Sequence, residues 1–392
     1  MAHRDHRDDP QAGRLTDQVL TRRALNRALL ARQLLLGRSE LSVGGAIEHL
    51  VGLQAQATLP PYVGLWSRIE GFDPDELGRM LANRKVVRLT LMRGTVHLVT
   101  ARDARVLRPL VQNVVERSHK GAFGRRMGGA KPEKLAAAVE ELLAVEPLGA
   151  RELGRRLVAL GIGDDPEAIG NAARIYVPLV QVPPRGVWGA SGRALYATLE
   201  GWTGRQLRKR PSIDNVVLRY LGAFGPASVL DMQKWSGLTR LRAAFERLRP
   251  KLTTFREEGG AELFDLPDAP RPDSDTEAPV RFLGEYDNVL LGHADRRRVI
   301  PEDFPWQTML APGRFVSNLL VDGMLRATWW LERDGKRRAV LTIYPFGRLS
   351  RRERAEVTAE AERVVDVLAA DVADRDVRYE TAVGTRSSTI TS

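Results

Sequence analysis

One plan recurs along this chain, and a repeated plan restricts the fold more than any single element does. From Lys131, "KPEKLAAAVEELLAVEPLGARELGRRLVALGI" reads as a helix, a short Pro-Gly turn and a second helix. The next stretch, "DDPEAIGNAARIYVPLVQVPPRGVWGASGRALYA", adds a third helix from Pro166 and a hairpin, with bends at Pro183-Pro184 and from Gly186 to Gly192. From Ile213 the order returns as helix, "FGP" turn and helix in "IDNVVLRYLGAFGPASVLDMQKWSGL". A third helix and two short strands joined at Gly259-Gly260 follow in "TRLRAAFERLRPKLTTFREEGGAELFDLP".

Three helices with a C-terminal hairpin are the winged-helix arrangement, in which the third helix can enter a DNA groove while the wing touches the backbone. The first part of the chain fits it more loosely. A long helix is expected from about Asp17 to Leu36 with Thr16 as N-cap, and a second from Val43. A third, "DPDELGRMLANR", is capped by Asp73, the strands "VVRLTLMRG" and "TVHLVT" form the wing, and Arg102 to Arg117 continues as helix. The expected fold class is α+β. Three tandem winged-helix motifs are read over residues 17–120, 131–200 and 211–267, after a disordered leader at 1–16.

Beyond the acidic, Pro-rich linker "DLPDAPRPDSDTEAP" the pattern changes to a small antiparallel β region and a C-terminal helix, spanning 280–380. Asp-Gly pairs at 322-323 and 334-335 signal hairpins. Ser350, with Glu353 three residues on, forms a capping box for a helix running to about Val372, and residues 385–392 read as a tail.

Composition narrows the partners. The chain has 392 residues and no cysteine, which excludes a disulfide scaffold, a thiolate nucleophile and a cysteine zinc site, and suits a cytoplasmic protein. No apolar run approaches the ~20 residues a membrane span needs. The N-terminus lacks the apolar stretch of a secretory signal. Net charge is +11, with Arg far outnumbering Lys. That surplus favours a polyanion such as nucleic acid, although an Arg-, Ala- and Gly-rich composition also follows from a GC-rich genome.

The candidate chemistry is sparse. The six histidines (3, 6, 49, 97, 119 and 293) show no close ligand spacing, and no metal or nucleotide cofactor is expected. "GVWGASG" fits a wing turn better than a phosphate cradle. The odd feature is Gln54 and Gln56 in "HLVGLQAQATLPPYVGLWSRI". On a helix, residues two apart point away from each other, so both act on one target only where the backbone leaves the helix. Pro60-Pro61 favours such a departure. Spacing alone equally allows two polar residues at a helix end.

"LQAQ", then "PPYVGLWSRI" and "RGTVHLV", resemble the N-terminal signature of the AlkZ/YcaQ-type winged-helix DNA glycosylases. "QVPPRGVWG" and "FLGEYDNVLLGHADRRRV" at 282–299 extend the resemblance over about residues 17–380. The resemblance implies a C-shaped scaffold of three tandem winged helices that embraces DNA. It also implies that the Q-x-Q pair, Gln54 and Gln56 here, carries the hydrolysis of the N-glycosidic bond of alkylated purines, N7-alkylguanine and derived crosslinks among them. The expected partner is double-stranded DNA with alkylated bases, and the expected state is a monomer. Neutral amides suit a leaving base that is already cationic: they position water and stabilise developing charge without acting as strong bases. No lysine neighbours the motif, so a monofunctional enzyme is expected.

DNA contacts are expected from Tyr62, His97, Arg185, Trp188, Arg208 and Arg210. Trp66, at helical spacing from Tyr62, reads as core, His97 also as structural, and Trp188 equally as packing under its hairpin. Tyr286, Asp287 and Asn288 match the family without an assignable role, Asp287 reading as an N-cap or as a partner of an arginine such as Arg296. The competing readings are a non-catalytic winged-helix regulator or architectural DNA binder, and a protein-interaction module with an incidental basic face.

Overall fold

The computed structural model describes residues 15–127, 129–304 and 317–380. Most of the expected leader and the whole of the expected tail lie outside the described residues. The chain's first described element differs from expectation: strand β1 (Leu15–Leu20) precedes helix α1 (Arg22–Arg32). Thr16 lies within that strand and is not the N-cap of α1. Thr21 is, its hydroxyl accepting from the Ala24 N–H at 3.2 Å. The cause is non-local: β1 pairs in parallel with residues 254–257, and Leu20 packs with Leu25, Phe255 and Leu263. A free sheet edge overrides local preference.

Next come α2 (Val43–His49), β2 (Leu53–Gln54), α3 (Pro60–Trp66), α4 (Pro74–Ala82) and the hairpin of β3 (Val86–Thr90) and β4 (Val96–Thr100). Asp73 caps α4 by accepting from Asp75 N–H at 2.9 Å. The single helix expected over 102–117 is two, α5 (Ala101–Leu110) and α6 (Gln112–Phe123). They part at Val111, two residues after Pro109, whose missing N–H leaves the Arg105 carbonyl to accept from the Arg208 N–H at 3.0 Å.

The order helix, helix, helix, hairpin then recurs twice. First come α7 (Pro132–Val145), β5 (Leu148–Gly149), α8 (Ala150–Ala159), α9 (Pro166–Tyr176), β6 (Leu179–Gln181) and β7 (Leu195–Thr198). Helices α8 and α9 touch backbone to backbone: a Cβ on Gly154 would lie 1.8 Å from the Pro166 carbonyl oxygen. After α10 (Leu199–Thr203) come α11 (Ile213–Phe224), α12 (Val229–Ser236), α13 (Arg242–Leu248), β8 (Thr253–Glu257) and β9 (Glu262–Asp265).

The first two hairpins merge into one six-stranded sheet of order β2-β4-β3-β6-β7-β5, joined where β3 meets β6. The Gln54 strand is thus an edge of that sheet. The C-terminal part contains β10 (Arg281–Leu283), α14 (Asn288–Leu291), β11 (Ser317–Val321), β12 (Met324–Asp334), β13 (Arg338–Pro345), α15 (Arg351–Leu368) and β14 (Asp374–Tyr379). Asp322 and Gly323 both have positive φ, +46° and +75°, as a two-residue hairpin of matching twist requires. The sheet is not wholly antiparallel: α15 serves as a crossover, so β14 joins β13 in parallel. The Ser350–Glu353 capping box is formed, and α15 ends at Leu368 rather than near Val372.

This C-terminal region is not a separate layer. Phe282, Trp329, Ala361 and Val364 share one buried cluster with Val43, Leu53, Tyr62 and Trp66. Among the described residues no helix is long and apolar enough to cross a membrane.

Candidate active site

The chain leaves the helix before the glutamines, at His49. Val51 and Gly52 then take positive φ, +55° and +93°, and swing the backbone into β2. A Cβ at Gly52 would stand 2.5 Å from Val99 Cγ1, so glycine is required there. Leu53 and Gln54 pair with Leu98 and His97, and the Ala55 N–H donates to the Val96 carbonyl at 2.8 Å. Gln54 closes that strand and Gln56 lies in the bend just beyond it, so the pair has left the helical geometry that would turn the two side chains apart.

Both side-chain carbonyls are held. Gln54 Oε1 accepts from Arg93 Nη2 at 2.7 Å, and Gln56 Oε1 accepts from the Val96 N–H at 3.2 Å. Gln54 is buried and Gln56 exposed. Each oxygen retains a second lone pair for a further donor. Arg93 also donates to the Trp235 carbonyl at the end of α12.

Two more buried groups fix the backbone around the pair. Arg88 donates to the carbonyls of Ala55 (2.8 Å) and Ala57 (3.4 Å), flanking Gln56. Asn288 Nδ2 donates to the carbonyl of Gly52 at 2.8 Å and of Leu50 at 3.4 Å. Asp287, the preceding residue, caps α14 through the Val289 N–H (3.0 Å) and grips Arg68 with both oxygens, at 2.8 and 2.7 Å. Its arginine partner is Arg68, not Arg296. Tyr286 is half-buried at φ +58°, and burial beside Glu285 pushes its phenol up to about 12. Val51, Arg93 and Tyr286 are thus three non-glycine residues in left-handed backbone around one short strand, a concentration of strain typical of working sites.

Most buried arginines here face carboxylates, as Arg32 does Asp265 and Arg38 does Glu360. Arg88 and Arg93, like Arg108, are different: their hydrogen bonds go only to carbonyls and amides. Burial pushes both guanidinium groups down to about 10, with Arg185 adding to the effect on Arg88 and Arg296 to that on Arg93. Neither was singled out from sequence. The available signal was an arginine inside an apolar strand, "VVRLTL", and one beside the glycine of "RGTVHLV".

Several expected DNA contacts are internal. Tyr62 is 3% exposed, donates to the Gly186 carbonyl at 2.7 Å and packs on Trp188 at 4.9 Å between ring centroids. His97 is 2% exposed, faces Gln54 across the strand pair and donates from Nδ1 to the Thr95 carbonyl at 3.0 Å. Neither offers DNA a surface. Arg185 is partly buried, donating to the Gly192 carbonyl at 3.3 Å within its own hairpin. Arg208 and Arg210 are exposed, with no acidic partner among the described residues.

Burial first, and then Arg93, push His97 down to about 3. Its folded pKa lies below the unfolded value near 6.5, so its contribution to stability is complete above pH 6.5 and falls as pH drops from there toward 3. Chemical denaturation at pH 7 and pH 5 is expected to show a loss of about 2 kcal/mol from this imidazole. Replacing His97 with Gln should flatten that part of the profile, and an unchanged slope in the variant would refute a buried neutral imidazole.

Residues 47–367 match the family model described as DNA glycosylase AlkZ-like. The chain belongs to the AlkZ-like DNA glycosylase family. The match includes Gln54, Gln56 and the Tyr286–Asn288 loop. An interstrand DNA cross-link repair glycosylase of Streptomyces sahachiroi is 25% identical over 324 residues, covering 76% of this chain and 85% of that protein. The solved structure of the Streptomyces sahachiroi DNA glycosylase AlkZ aligns with a TM-score of 0.72 at 22% identity, over 93% of this chain and 100% of that one. The likeness establishes a shared mixed α+β fold. As an AlkZ-like DNA glycosylase, the chain is a hydrolase acting on N-glycosyl bonds.

Proposed function

We propose that this glycosylase releases alkylated purines, N7-alkylguanine above all, by water held between Gln54 and Gln56. The observation that carries the reading is that both side-chain carbonyls are already held by donors of one short segment, Gln54 by Arg93 and Gln56 by the Val96 N–H. An amide fixed in this way spends no energy reorienting as charge develops on the sugar. It is also a poor base, so the leaving base must bring its own positive charge. Alkylation at N7 supplies that charge. The relative named for interstrand cross-link repair supports extending the substrates to crosslinks unhooked at the same bond.

The three helix-helix-helix-hairpin units serve, in this proposal, as winged helices around the duplex. Arg185, Trp188, Arg208 and Arg210 are proposed contacts at their margins. The enzyme acts as a monomer in the cytoplasm and needs no cofactor. No lysine contacts the glutamine pair among the described residues, so the product is an unmodified abasic site.

Base release from matched duplexes tests this. 7-Methylguanine should be excised at least 100-fold faster than uracil, and borohydride should trap no protein–DNA adduct. Equal excision of both bases would refute the selectivity. Sequence-specific binding without any base release would favour a regulator.

A further inference from the structure

A cavity of about 460 Å³ is lined by Lys234, Arg296, Arg297 and Glu302 among others. Arg93 connects Gln54 to this region: it bonds Gln54 with one nitrogen and, with another, the carbonyl of Trp235, the residue after Lys234 on α12. Arg297 is neutralised locally by Asp295 at 2.5 Å and Glu302 at 3.6 Å. Lys234 is exposed and Arg296 half-buried, and neither has an acidic partner among the described residues. Arg296 stands close enough for its charge to bear on Arg93. Arg93, Lys234 and Arg296 are thus three cations without carboxylates.

That arrangement conflicts with the chemistry proposed above unless something anionic joins it. A cationic base and a sugar gaining positive charge are repelled by nearby guanidinium and ammonium groups. The DNA itself carries the missing anion. We propose that the cavity between Lys234 and Arg296 takes a phosphodiester of the lesion-bearing strand next to the damaged nucleotide, supplying the negative charge that Arg93 lacks. This rests on the glycosylase reading and adds to it a register for the strand: the phosphate fixes the nucleotide against the glutamine pair. Phosphate contacts of this kind position the DNA without reading sequence.

The test is the salt dependence of binding to a duplex carrying a tetrahydrofuran abasic analogue. Lys234→Ala and Arg296→Ala should each make the slope of log K against log[salt] shallower, and the double variant by about 0.9, the value for one phosphate. Arg337→Ala, at a turn where that arginine already pairs with Asp334 at 2.9 Å, should leave the slope unchanged. A single uncharged methylphosphonate beside the lesion should weaken binding by wild type and have no further effect on the double variant.

Wild-type slopes in both single variants would overturn the proposal, as would a borohydride-trapped adduct that disappears in Lys234→Ala. The same preparations are assayed for 7-methylguanine release. Release with unchanged slopes removes only the phosphate site, whereas shallower slopes without wild-type release remove the catalytic reading instead.

Discussion

Alanine at Gln54 is expected to slow single-turnover release of 7-methylguanine by about 10²- to 10³-fold, the range seen when one preorganised dipole is deleted. The affinity for lesion DNA should change little, because Gln54 is buried and only its free lone pair faces the reacting atoms in the proposed geometry. The loss also frees Arg93: with Oε1 gone, its guanidinium keeps only the Trp235 carbonyl and gains freedom to move toward the sugar. Both effects raise the barrier. Gln56→Ala should cost less, about tenfold, since Gln56 is exposed and water can replace part of its role. If the two amides hold one water, the double variant should fall well short of the product of the single effects. Circular dichroism and thermal melting of each variant separate a catalytic loss from unfolding. Undiminished release by both single variants would remove the pair from the mechanism.

What the sequence disclosed about this arrangement was local. Helix-helix-hairpin order, the caps at Asp73 and Ser350, and the Asp-Gly turn at 322-323 all depend on neighbours within a few residues. They were legible for that reason. The oddity of Gln54 and Gln56 was visible too, but not the strand that carries Gln54, because β2 owes its conformation to β4 and to the turn at Val51-Gly52. The turn in turn depends on Asn288, 236 residues from Gly52. Likewise β1 became a strand through an edge more than two hundred residues away. Polar partner choice failed for the same reason: every arginine offers the same fork, and only the fold selects Arg68 for Asp287, 219 residues apart. Burial also removed the DNA contact expected of Tyr62 and left His97 its structural reading, since an aromatic or imidazole beside a catalytic motif reads from sequence as a contact whichever way it points.

That distant pair carries the second large effect. Asp287→Asn keeps the shape of the side chain and an oxygen to cap α14, and removes one charge. Arg68 is fully buried, so its guanidinium would be left without a counter-charge, and the expected loss of stability is about 3–5 kcal/mol. Urea titration should show a lower midpoint with the slope unchanged, as for a native-state effect. Arg68→Met combined with Asp287→Leu should lose less than Asp287→Asn alone, because no buried charge then stands unpaired. Function should separate the two variants in the opposite sense to stability. The double variant restores packing but releases the start of α14, and with it the Asn288 grip on the Gly52 and Leu50 carbonyls. Gln54 follows two residues later on a backbone held at strained φ by that grip. The stabilised double variant should therefore remain slow in base release, with melting temperature recovered and turnover not. Recovery of both would show that Asp287 and Arg68 serve the fold alone, and that the strand bearing the glutamines keeps its place without them.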